Sequence, residues 1–103
     1  MKIIQCLSEK IEEEIDDAGA YIDLAMKWKA EEPEPAELFY QLSTEEMGHV
    51  EKLHKAVADL IALYRNRTGD PPREMAVLYD YLHKKHIAAA TQVKIRQGMF
   101  KAD

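Results

Sequence analysis

Two carboxylates and an imidazole stand at positions where apolar side chains are expected. Around Glu46-Met47-Gly48-His49, residues three and four apart run Phe39, Leu42, Glu46, His49, Leu53, Ala56, Leu60, Tyr64. That alternation lines one face of an α-helix, so Glu46 and His49 sit in an otherwise apolar stripe. An ionised carboxylate in such a seam is strongly unfavourable unless a cation, a hydrogen-bond donor or a proton neutralises it. A glutamate and a histidine three apart can both ligate one metal ion from a single helix face. A second copy of the spacing, Glu51 and His54, lies off the stripe: Glu51 falls roughly opposite it and His54 near its edge, so this pair is expected to face solvent.

The N-terminal segment repeats the anomaly once. Its apolar row is Ile4, Leu7, Ile11, Glu14, Ala18, Tyr21, Ala25, Trp28, whereas Glu9, Glu12, Glu13, Asp16 and Asp23 project away and form a solvated face. Glu14, Glu46 and His49 are therefore the candidate metal ligands. One Glu from one helix and a Glu-x-x-His from the next make half of a two-metal carboxylate site. Two halves joined by a two-fold axis assemble four carboxylates and two imidazoles, a charge that two divalent cations balance. Mixed oxygen and nitrogen donors with open positions suit iron or manganese, and affinity order alone leaves zinc open. The competing account is that Glu46 and His49 bond to one another, or bridge to Lys or Arg across a helix interface, and so set register.

Three helices must position these residues. The first is expected over about residues 3–30, since no Pro or turn cluster interrupts it. Glu31-Glu32-Pro33-Glu34-Pro35 ends it, and Pro35 opens a second helix over about 35–65, packed antiparallel across the short linker. Arg65, Arg67 and Gly69 suit the end of that helix. Asp70 as N-cap and Pro71 at the first position start a third over about 71–100.

The third helix carries Met75, Tyr79, Leu82, His86, Ala90, Val93 and Phe100 on one face and a thinner row, Val77, Tyr81, Ala88, Ile95 and Met99, on nearly the opposite one. Two apolar faces on one helix imply packing on both sides, hence an oligomer. His86 reads as a satisfied core or interface histidine with His83 on its flank; Cys6, Trp28 and the methionines read as packing.

With 103 residues, 47% hydrophobic and 32% charged, and four Gly and four Pro, the chain reads as one helix-rich domain, residues 1–103. The formal net charge is −5 and the cations are scattered, which disfavours a nucleic-acid surface. No apolar run reaches the length of a membrane span, and the N-terminus lacks the apolar core of a signal peptide. The lone Cys6 has no disulfide or Cys-x-x-Cys partner, so a cytoplasmic location is expected.

Glu14-Ile15-Asp16-Asp17-Ala18-Gly19-Ala20-Tyr21 and Phe39-Tyr40-Gln41-Leu42-Ser43-Thr44-Glu45-Glu46-Met47-Gly48-His49-Val50-Glu51-Lys52-Leu53-His54 resemble the ferritin-like superfamily, in particular its small rubrerythrin-like and encapsulated-ferritin-like members. The resemblance covers roughly residues 8–64; the third helix has no matching motif. It implies an all-α, ferritin-like fold whose four-helix bundle is completed by dimerisation, because this chain holds one Glu-x-x-His half. It also implies a carboxylate-bridged di-iron centre, two ions per dimer, with Glu14, Glu46 and His49 as ligands, and ferroxidase-type oxidation of Fe(II) or a related scavenging of oxidants. No rubredoxin-type cysteine centre accompanies it, so rubrerythrin-type peroxidase chemistry would need a separate electron donor, and the C-terminal segment does not look like a shell-targeting tail. The alternative function is a metal-free helical interaction or assembly protein that retains the bundle.

Overall fold

The computed structural model describes residues 2–102 and folds them into α1 (Lys2–Trp28), α2 (Pro33–Thr68) and α3 (Arg73–Ala102), with no strand among the described residues. At about 1.5 Å per residue these are rods of roughly 40, 54 and 45 Å. The molecule measures 56 × 19 × 17 Å with a radius of gyration of 16.5 Å. A compact domain of this length has about 13 Å, so the helices lie side by side as an elongated bundle.

Proline chemistry sets the helix starts, with two departures from the expected boundaries. α2 begins at Pro33 rather than Pro35, and the Ala36 amide donates to the Glu32 carbonyl at 3.0 Å. Both prolines fit because first-turn amides have no intrahelical acceptor to lose. α3 begins only at Arg73, and the Ala76 amide closes its first turn on the Pro72 carbonyl. Asp70 is therefore not its N-cap: Pro72 excludes helical geometry at Pro71, which pushes the start two residues on. Gly69 ends α2 at φ 83°, a region open to glycine, and its amide bonds the Arg65 carbonyl.

α1 is the central rod. α2 packs along it, α3 rests mainly on α1, and α2 and α3 meet at few points. The core gathers Ile11, Ile15, Ala18, Ile22 and Ala25 of α1, Ala36, Met47 and Val50 of α2, and Val93 and Phe100 of α3. Each buried isoleucine contributes about 1.5–3 kcal/mol through apolar area removed from water. Gly19 permits the close approach of α3, since a Cβ there would stand 3.2 Å from Arg96 Nη2 and 3.7 Å from Val93 Cγ2. Lys85–Glu12 and Arg96–Asp23 pair α3 with α1 along the same side. Exposed pairs of this kind add little energy but agree on register.

One buried polar knot joins all three helices. Ser43, fully buried in α2, donates to the Ala18 carbonyl of α1 at 2.7 Å and accepts from Gln97 Nε2 of α3 at 2.9 Å. At the far end, Phe100 stacks on Tyr40 with ring centroids 5.1 Å apart, Lys29 and Lys101 lie over these rings, and the Phe100 carbonyl accepts from Lys29 Nζ. The second row of α3 stays uncovered: Val77, Tyr81, Ala88, Ile95 and Met99 are all exposed. Cys6, expected to pack, is exposed, as are Met26 and Met99. No helix among the described residues is long and apolar enough to cross a membrane.

Candidate metal centre

The α2 stripe read from the sequence lies beside the core rather than in it, whereas the α1 stripe alternates between buried and half-buried positions and the α3 stripe supplies buried His86, Val93 and Phe100. On α1 the fully buried residues are Ile4, Ile11, Ile15, Ala18, Gly19, Ile22 and Ala25, while Leu7, Glu14, Tyr21 and Trp28 are half-buried. On α2 the buried residues are Ala36, Ser43, Met47 and Val50, while Phe39, Leu42, Glu46 and Leu53 are half-buried. At about 100° per residue, Glu14 is roughly 160° from Glu12 and 180° from Asp23, the residues that meet α3. The α1–α2 seam thus has two sides. α3 covers one, and the half-buried rows with Glu14 and Glu46 form the other.

His49 departs furthest from expectation. Its side chain is 54% exposed, against 26% for Glu14 and 20% for Glu46. The cause is angular: His49 is turned about 100° beyond the buried Val50, onto the open edge of α2.

On that open side the structure brings all three candidate ligands together from two helices. One ligand atom from each of Glu14, Glu46 and His49 lies within 4.8 Å of the others, and no other group of three among the described His, Cys, Asp and Glu does so. His49 Nδ1 stands 3.5 Å from Glu14 Oε2 and 3.6 Å from Glu46 Oε2. These separations are too long for good hydrogen bonds. They are ordinary for atoms sharing an ion, because ligands about 2.1 Å from one metal are about 3.0 Å apart at right angles and about 4.2 Å apart when opposite.

Glu46 Oε2 is the one buried side-chain polar atom among the described residues with no hydrogen-bond partner. An unsatisfied buried acceptor of this kind calls for an explanation, and an ion is one. The bridge to Lys or Arg is not formed: the ion pairs of Glu14 and Glu46 among the described residues are those with His49. The donor set, two carboxylates and one imidazole with a solvent-facing side, fits a hard to borderline divalent cation. Tyr21 stacks across the seam on Phe39, with centroids 6.4 Å apart, and so reads as packing beside the ligands.

Two arrangements escaped the sequence. Ser43 carries no periodic anomaly, because a serine among apolar neighbours is small enough to pass as core. Glu51 and His54 are exposed, as expected, but His54 meets His83 of α3, a contact that no spacing within one helix could reveal. His86 is buried, as expected, and burial pushes its imidazole below the ordinary histidine value. Comparison with protein-family models, with curated proteins and with solved structures finds no match to this chain.

Proposed function

We propose that this chain is a ferritin-like metal-binding protein whose Glu14, Glu46 and His49 form half of a two-metal carboxylate centre. The reading rests above all on the buried Glu46 oxygen that has no hydrogen bond and lies with Glu14 and His49 on the side of the seam that α3 leaves open. A second copy laid on that side would cover the half-buried rows and bring the carboxylates to four and the imidazoles to two. Two divalent ions then balance the acids, and iron is the assignment that the resemblance favours.

Two iron ions held by Glu14, Glu46 and His49 of two copies would each supply one electron, matching a two-electron oxidant such as dioxygen going to peroxide. The chain's own contribution is placement. Glu14 and Glu46 hold negative charge in a partly desolvated seam, which favours the more highly charged oxidised ion. His49 contributes a neutral nitrogen donor, and its exposure leaves an approach for the oxidant. The lone Cys6 fits a reducing, cytoplasmic setting.

The decisive experiment is elemental analysis of chain purified without chelator, beside the Glu46→Ala/His49→Ala variant, with circular dichroism to check the helices. Iron bound by the parent and absent from a folded variant is expected; equal metal in both overturns the reading. A metal-free assembly protein is the second reading, favoured by the uncovered row on α3. Absence of metal in the parent, with no aerobic Fe(II) oxidation, would decide for it.

A further inference from the structure

α3 does not follow its neighbours evenly. Its C-terminal end is clamped through Phe100, but towards its N-terminal half it parts from α2 and leaves a half-open cavity of about 480 Å³. The walls include the apolar side chains of Ile4, Ile11, Val57 and Leu82. Three imidazoles also reach this cavity: His54 from α2, and His83 and His86 from α3. His54 Nε2 lies 2.9 Å from His83 Nδ1, with ring centroids 4.7 Å apart. His54 follows His49 by five residues, a rotation of about 140° that carries it from the open seam to the side facing α3.

Two imidazole nitrogens at this distance share one proton in a hydrogen bond. The same distance is that of two adjacent ligands on one ion. Nitrogens about 2.05 Å from a metal and at right angles to each other are about 2.9 Å apart. Ligation asks only that both rings pivot until their lone pairs converge on the ion. Both side chains are exposed, which leaves the two stacked rings room to turn. His86, three residues beyond His83 on the same helix, is a further imidazole on the cavity wall.

We propose that His54 and His83 form a second, nitrogen-ligated site for a divalent ion of the nickel–copper class, bridging α2 and α3 and independent of Glu14, Glu46 and His49. Imidazole donors suit these later ions, and without a carboxylate the pair differs in donor type from the seam. An ion held here pins α2 to α3 where the two helices scarcely touch. Because the unfolded chain lacks the paired geometry, binding stabilises the fold.

The test uses the full chain carrying Glu46→Gln and His49→Ala, so that the carboxylate site cannot contribute, titrated with Ni²⁺ alone by isothermal calorimetry. One ion per chain is expected, with an affinity that falls at least tenfold when either His54→Ala or His83→Ala is added. Ni²⁺ should also raise Tm in the parent variant and leave the His54→Ala chain unmoved, circular dichroism having confirmed that both fold. No uptake by the parent variant overturns the proposal, as does undiminished uptake after loss of either imidazole. Neither result bears on iron at Glu14 and Glu46.

Discussion

Glu14 Oε2 of α1 lies 3.5 Å from His49 Nδ1 of α2, close enough to share an ion and too far to bond well directly. The contact joins two helices at the one place where acids interrupt both apolar rows. With Glu46 it makes a cluster of two carboxylates and one imidazole whose ligand atoms lie within 4.8 Å of one another in a partly buried seam.

Glu46→Gln should therefore have opposite effects with and without metal. In chelator-treated protein the substitution removes a buried carboxylate oxygen that lacks a hydrogen bond, and it should raise stability by about 1 kcal/mol in denaturant melts. In iron-loaded protein it should lower Tm and the bound iron together. A metal-free loss of stability in Glu46→Gln would mean that the 3.6 Å contact with His49 outweighs the missing hydrogen bond.

Ser43→Ala removes both bonds of the buried knot at once. The Ala18 carbonyl keeps its helix partner, but Gln97 Nε2 loses its acceptor in a partly buried setting. A loss of about 1–2 kcal/mol in urea unfolding is expected. A neutral result would mean that Gln97 turns to solvent without penalty.

His86 makes stability depend on pH near neutrality. Burial is the main cause that holds its imidazole below the ordinary value, with Lys85, His83 and His54 acting in the same direction and Glu12 opposing them. Between the folded value and the unfolded value near 6.5, the unfolded chain binds more protons, so this contribution is complete above about pH 6.5 and is lost as the pH falls below it. Glu12, held low by its bond to Lys85, loses its own contribution only in the acid range below the ordinary carboxylate value. Melts between pH 7.5 and 5.5 should show a fall in Tm that is smaller in His86→Leu; equal slopes would refute the assignment.

Leu42→Lys places a charge on the open side of the seam, one helical turn before Glu46. If a second copy covers that side, sedimentation should show the variant shifting to monomer while its iron content falls in parallel. An oligomer that persists with full iron would locate the interface elsewhere, and the uncovered row Val77, Tyr81, Ile95 and Met99 is where it would be sought.

The three helices, their breaks at proline and glycine, and the grouping of Glu14, Glu46 and His49 were legible from the sequence alone. Helical periodicity is a local property, and a polar residue in an apolar row stands out without knowledge of any neighbour. The tertiary structure decided the rest. α3 could have covered either side of the α1–α2 seam, and it takes the side where Gly19 lets it approach and where Ser43 and Gln97 meet. That choice leaves Glu14, Glu46 and His49 at the open edge instead of the centre, and it brings His83 to His54. Residue spacing within a helix carries no record of which side another helix will occupy, because packing between rods is settled by close approach and buried bonding between residues far apart in the chain.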